Sequence, residues 1–251
     1  VFYAYLRTVV TFLLWVINGN IHYHNTDRII SNDENYVYVA PHRTLWEVVF
    51  MAHAVRPKEF AVIAKKELFT NRIFAWWIRM CGAFPIDREN PGPKAIRYPV
   101  NALKKTNKSV IMFPSGSRHS TDVKGGVAVI AKMGKAKIQP TVYVGPRTFK
   151  GLFKRERIDM NFGEPIDISD IKRMNDEGIA EVSRRIQAAF DALDAEMIPV
   201  HDNKKPNPLM WVIWIPAAVL GVLLILLTAI ISLFAPFIWD AEKHQEINEA
   251  N

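Results

Sequence analysis

From residue 36 to about residue 165, short runs of β-branched and aromatic residues alternate with longer stretches in which apolar residues recur every three or four positions. The first spacing predicts strands and the second predicts helices. YVYVAP at 36–41 reads as a strand, and a helical pattern follows from Thr44 to about Val55. FAVIA at 60–64 is the next strand, KELFTNRIFAWWIRM at 66–80 a single helix, and GAFPI at 82–86 a short extended piece. KAIRYPVNALKK at 94–105 predicts a helix bent at Pro99, SVIMF at 109–113 a strand, and GGVAVIAKMG at 125–134 a helix closed by Gly134. IQPTVYV at 138–144 and IDMNFG at 158–163 complete the strands, and the residues from Asn175 to Met197 form a long amphipathic helix. Strands alternating with helices predict an α/β domain over residues 26–200, with a mostly parallel central sheet flanked by helices.

The two ends do not follow this rhythm. Residues 209–239 run without a charge, which is more than the 20 or so apolar residues that span a bilayer core. Trp211, Trp214 and Trp239 lie near the ends of that run, where amphipathic rings favour the membrane interface. A membrane-embedded segment is expected, either crossing or re-entering, because Pro216 and Pro236 offer break points. Lys204 and Lys205 in the linker 201–208 precede it, and the tail 240–251 is net acidic. This asymmetry predicts a cell-membrane protein with its main domain on the cytoplasmic side. Residues 1–25 form a second apolar segment in which Arg7 is the first charge, predicting a membrane-associated helix with Arg7 reaching toward headgroups. A buried core helix is the alternative.

The 251 residues carry a formal net charge of +7, so an acidic partner or an anionic surface is expected. The basic residues are dispersed and the chain is tied to lipid, which argues against a nucleic-acid binder. Cys81 is the only cysteine, so no disulfide forms within the chain, and its apolar neighbours suggest a buried bystander. His22 and His24 have no cysteine or carboxylate motif beside them, and no metal site is expected.

Polar clusters fall at predicted strand ends, where open α/β sheets place their ligands. In APHRTLWE, His42 leaves a strand and Glu47 lies five residues on. Two helical residues at that spacing diverge by about 140°, so the pair can meet only if His42 precedes the helix and Glu47 sits in its first turn, with Thr44 as N-cap. A carboxylate on one imidazole nitrogen would make the other a better base. Thr44 and Glu47 also have capping-box spacing, so these residues alone leave helix capping and catalysis equally open. GAFPIDRENP brings Asp87 and Arg88 out of a short strand. FPSGSRHS joins a tight turn at Ser115 and Gly116 to Ser117, Arg118 and His119, a setting suited to a phosphate or an oxyanion. Neither a nucleotide-binding phosphate loop nor a nucleophile elbow is present. Lys65 and Lys66 close the FAVIA strand.

PHRTLWE, GAFPIDR, FPSGSR and IQPTVYVGP occur in one order, and together they resemble the glycerolipid acyltransferase family, in particular its bacterial 1-acyl-sn-glycerol-3-phosphate acyltransferases. The likeness spans about Tyr36 to Pro165. It implies that His42 is the base that deprotonates the sn-2 hydroxyl of lysophosphatidate and that Glu47 steadies the imidazolium. It implies that Lys65, Arg88 and Arg118 hold phosphate, that Ser115 and Gly116 belong to the substrate site, and that backbone N–H groups near Gly116 or Gly145 meet the oxyanion. No cofactor is implied beyond the acyl donor, acyl-CoA or acyl-acyl-carrier-protein. The implied partners are lysophosphatidate, anionic phospholipids and an acyl carrier protein. The chain departs from the pattern mildly at Thr44, where the family has serine, and at Ser117, where it has threonine, and more substantially at Glu47, where it has aspartate, and at Ser115, where it has glutamate. These departures leave room for another lysolipid or glycerol 3-phosphate as acceptor, or for a catalytically silent lipid-binding protein.

Overall fold

The structure, a computed structural model, describes residues 2–87, 92–115, 125–199 and 207–238. Arg88, Gly116, Ser117, Arg118, His119, Lys204, Lys205, Trp239 and the acidic tail lie outside the described residues. The elements in chain order are α1 (Phe2–Ile17), β1 (Ile21–His24), β2 (Val37–Val39), α2 (Glu47–Ala54), β3 (Glu59–Lys65), α3 (Arg72–Met80), β4 (Ala83–Ile86), α4 (Lys94–Lys105), β5 (Lys108–Met112), α5 (Gly126–Gly134), β6 (Ile138–Val144), α6 (Phe149–Phe153), β7 (Ile158–Phe162), α7 (Asp176–Met197) and α8 (Trp211–Ile238).

The seven strands form one sheet in the order β1-β7-β6-β2-β5-β3-β4. Every pairing is parallel except β6 with β7. Alternation along β2 divides the core. Val37 and Val39 face a layer from α4, α5 and α7, whereas Tyr36, Tyr38 and Ala40 face a layer from α1, α2 and α6. Burial on both faces explains why β2 reads as an unbroken apolar run.

The structure differs from the sequence reading at several elements. Residues 66–80 are not one helix. A 3-10 turn covers Lys66–Phe69, and α3 begins afresh because the Asn71 side chain accepts the Phe74 N–H at 3.0 Å. Ile21–His24, read with the N-terminal segment, is an edge strand paired in parallel with β7. The short helix α6 has no counterpart among the predicted elements. Pro99 lies inside α4 without ending it.

The apolar ends pack on each other. α8 is one continuous helix of 28 residues through positions 216 and 236, about 42 Å long at 1.5 Å per residue, so neither proline breaks it into a hairpin. It is long and apolar enough to cross a membrane, and only 17% of its most apolar window is buried in the protein. Trp214, Ala217, Gly221, Leu224, Thr228 and Ile231 form its covered seam, in alternating steps of three and four, while most of the other described side chains face outward. A seam that narrow belongs to one helix lying along another. A Cβ on Gly221 would meet Leu13 Cδ2 at 3.3 Å, and Tyr5 Oη lies 3.0 Å from Thr228 Oγ1, so α8 runs antiparallel along α1. In turn α1 buries Val9 and Leu14. Arg7 donates to the Pro57 carbonyl at 3.3 Å, which ties α1 to the domain.

Candidate active site

Parallel pairing brings the C-terminal ends of β6, β2, β5, β3 and β4 to one edge. Val39 is in register with Met112, so His42 and Ser115, each three residues further on, leave adjacent strands at the same level. Lys65 ends β3 opposite Ile86 of β4, with Asp87 just beyond. At about 4.8 Å per strand, Lys65 lies roughly 10 Å across the edge from the β2 exit.

His42 adopts a left-handed backbone, φ 66°, which for a non-glycine residue costs on the order of 1 kcal/mol and must be held by its surroundings. Its ring stacks on Phe113 with centroids 3.9 Å apart and an interplanar angle of 22°. Its side chain is 15% exposed, and Nδ1 lies 4.0 Å from Oε2 of the fully buried Glu47. That separation is an ion-pair distance rather than a hydrogen bond.

The capping contacts of Thr44 and Glu47 and the approach of the carboxylate to the imidazole coexist in one arrangement. Oε2 of Glu47 accepts the backbone N–H of Arg43 at 2.5 Å and of Thr44 at 3.2 Å, and Thr44 Oγ1 accepts the Glu47 N–H at 3.1 Å. The carboxylate therefore closes the start of α2 while facing the imidazole. The regular helix follows Trp46, whose carbonyl accepts the first helical bonds, while the capping side chain is that of Thr44 in the turn just before it. Burial pushes the Glu47 carboxyl up to about 7, against the lowering effect of the two backbone N–H groups and Arg43. A carboxyl raised toward neutrality beside a histidine recurs at catalytic sites.

Arg43 fixes the turn from behind. Its guanidinium donates to the Tyr143 carbonyl at 3.0 Å and to both carboxylate oxygens of Asp194 in the last turns of α7, one of them at 2.8 Å. Trp46 Nε1 donates to Tyr143 Oη at 3.0 Å, and that hydroxyl donates to the Pro146 carbonyl at 3.0 Å. Sequence reading missed Arg43, Phe113, Tyr143 and Asp194. The arginine beside His42 was the available signal, but its partner is 151 residues away.

The remaining predicted residues divide by position. Ser115 is buried at the β5 exit. Lys65 is half exposed, with Nζ 3.6 Å from Glu67, and Lys66 Nζ lies 2.5 Å from Asp87 Oδ2. Gly145 follows β6 at the same edge, its Cβ position 3.0 Å from Tyr143 Oη. Arg88, Gly116 and Arg118 lie outside the described residues. His24 Nε2 pairs with the buried Asp159 at 2.6 Å, and His22 Nε2 lies 3.0 Å from Asn20 Oδ1. Among the described residues no group of three His, Cys, Asp or Glu side chains gathers to hold a metal. Burial raises the Cys81 thiol to about 12.

A family model described as acyltransferase matches residues 20–144, from β1 to the end of β6. The chain is 64% identical over 245 residues to a 1-acyl-sn-glycerol-3-phosphate acyltransferase of Streptococcus pneumoniae, covering 98% of this chain and 93% of that relative. The chain belongs to the acyltransferase family. A second relative of the same name, from Bacillus subtilis, is 33% identical over 184 residues, covering 72% of this chain and 92% of its own length. The crystal structure of the 1-acyl-sn-glycerophosphate (LPA) acyltransferase from Thermotoga maritima superposes with a TM-score of 0.58 at 17% identity, covering 78% of this chain and 80% of that one. This last likeness establishes the acyltransferase fold. The family match contains the strand exits that carry His42, Lys65 and Ser115.

Proposed function

We propose that the protein transfers a fatty acyl group from an acyl thioester to the sn-2 hydroxyl of lysophosphatidate, giving phosphatidate for phospholipid synthesis. The observation that carries this reading is the His42 ring, held at the sheet's C-terminal edge with a buried carboxylate 4.0 Å from Nδ1. The names of the pneumococcal and Bacillus relatives support the acceptor.

In this mechanism the ring nitrogen opposite Glu47 takes the hydroxyl proton as the oxygen attacks the thioester carbonyl. The imidazolium forms beside Glu47, and a charge pair in a buried site is worth more than the same pair in water. Collapse of the tetrahedral intermediate expels the thiolate, which recovers the proton from His42. Lys65, Arg88 and Arg118 are the proposed phosphate ligands, with Ser115 and Gly116 beside them and backbone N–H groups near Gly116 or Gly145 for the oxyanion. The partial exposure of Lys65 suits this role, because its contact with Glu67 is a weak surface pair that a phosphate can displace. The donor is acyl-CoA or acyl-acyl-carrier-protein, and no further cofactor takes part. The domain lies on the cytoplasmic side of the cell membrane, supported by Lys204 and Lys205 before α8.

The test is His42→Ala in purified, membrane-reconstituted protein. Loss of a general base removes about 10²–10⁴-fold of rate. Near wild-type turnover in a folded variant would refute the assignment. Ser115, buried where the resemblance has glutamate, favours a second reading in which the acceptor is another lysolipid or glycerol 3-phosphate. An acceptor panel with one labelled donor separates the two readings.

A further inference from the structure

We infer that α6 is an interfacial foot that seats the active-site end of the domain on an anionic bilayer surface. This deepens the reading above, since it takes a membrane as the enzyme's surroundings.

The helix is built with two opposed faces. Gly151 and Leu152 are buried, with Leu152 packed into the core beneath the sheet. Phe149 and Phe153, four residues apart and so on one side of the helix, are 58% and 59% exposed. Buried packing on one side fixes which way the two phenyl rings point. Around them Arg147, Lys150 and Lys154 are exposed, against one exposed carboxylate, Glu156. Outward aromatic rings ringed by cations match the boundary between acyl chains and anionic headgroups.

The position of α6 ties this surface to both the apolar helices and the chemistry. Arg155, immediately after α6, donates to the Trp15 and Val16 carbonyls at the end of α1, at 2.7 and 2.8 Å. Its guanidinium carbon also lies 3.2 Å from the ring centroid of Trp214 in the first turns of α8. Asn18 Nδ2 donates to the Leu152 and Glu156 carbonyls at 3.2 and 3.0 Å. So α6 is fastened to the junction of α1 and α8, close to the start of the helix whose outward face is apolar. At its other end Phe149 packs against Trp46 with centroids 5.0 Å apart, four residues from His42. An acidic protein would satisfy the cations, but attachment to the start of the apolar helix α8 favours lipid.

The full-length protein carrying a nitrobenzoxadiazole fluorophore at Phe153→Cys, with Asp191→Cys on the opposite face of the sheet as reference, tests this in proteoliposomes. Native Cys81, which is only partly buried, is replaced by alanine in every labelled variant. In vesicles containing phosphatidylglycerol, the probe at 153 should be quenched by lipids with a shallow acyl-chain doxyl group and protected from aqueous acrylamide. The probe at 191 should show the reverse. Lys150→Glu with Lys154→Glu should reduce interfacial occupancy in anionic vesicles by roughly fivefold for each charge removed, with little change in purely zwitterionic ones. A probe at 153 that acrylamide reaches as readily as at 191 overturns the inference, and so does protection that appears only on adding an acidic carrier protein. Phe149→Cys provides a second labelled position if the first variant fails to fold. The fluorescence does not depend on turnover, so failure of the acyl-transfer reading would leave this result standing, and the reverse.

Discussion

Replacing Glu47 with glutamine should slow the reaction and, at the same time, change how stability depends on pH. The folded carboxyl titrates at about 7, raised from 4.5 by burial. Below about pH 4.5 both the folded and unfolded chains carry the proton, and the group contributes nothing. As pH rises from there, the unfolded chain ionises first, so the charge opposes folding. The penalty levels off above pH 7 at roughly 3 kcal/mol. Glutamine does not titrate. Its carbonyl can still accept the Arg43 and Thr44 N–H groups, while its amide nitrogen takes the place of Oε1, which accepts no hydrogen bond among the described residues. An unsatisfied donor there costs about 1–3 kcal/mol, but equally at every pH. The diagnostic is therefore the slope: the variant should gain on wild type steadily between pH 4.5 and 7. At about 2–4 °C per kcal/mol for a chain of this size, the relative melting temperature should climb by roughly 6–12 °C. Thermal unfolding in nanodiscs across pH 4.5–8, followed by tryptophan fluorescence, reads it directly. Acyl transfer should fall by about 10²-fold or more, because a neutral amide does not stabilise an imidazolium. Melting curves that stay parallel across this range would refute the claim that Glu47 bears a burial cost, and with it the reason for the strength of the His42–Glu47 pair.

Two further substitutions probe the frame around the site. Asp194→Ala removes the partner that holds Arg43 and should lower kcat about tenfold with little change in KM, with partial recovery in Asp194→Glu. Asp194 is about one-third exposed, so an effect near 1 kcal/mol on positioning is the expected scale. An unchanged kcat would show that the His42 turn holds its shape without α7. Gly82→Ala should destabilise the fold by about 3 kcal/mol or more, because Gly82 has φ +84° and a Cβ there would lie 2.1 Å from the Phe60 carbonyl oxygen. A melting temperature within a degree of wild type would contradict that close approach between the start of β4 and β3.

What could be read in the sequence follows from how local each signal was. β2, β3, β5 and β6 are buried and β-branched, and their spacing from intervening helices carries the parallel sheet almost unaided. β1 escaped because IHYH is four residues with two polar side chains, whose partner Asp159 comes 135 residues later. α6 escaped because five residues give too little periodicity, and its exposed phenyl rings invert the usual pattern. Asn71 was a readable N-cap, yet the apolar spacing on both sides of it masked the break.

The His42 site shows why local signals can be ambiguous without being in conflict. Capping and catalysis compete as readings of Thr44 and Glu47 only if they need different atoms, and here the same Oε2 accepts the Thr44 N–H and faces the imidazole, as the proposed mechanism requires. A capping box requires a side chain long enough to turn back on the helix start, which glutamate supplies. The methylene that distinguishes Glu47 from the family's aspartate is thus used in closing α2. The carboxylate, committed to two backbone N–H groups, then reaches Nδ1 by charge at 4.0 Å rather than by a hydrogen bond. Orientation of the imidazole consequently falls on the Phe113 ring stacked at 3.9 Å and on the Arg43 turn held by α7. In the proposed mechanism the acid supplies the field, and packing supplies the aim.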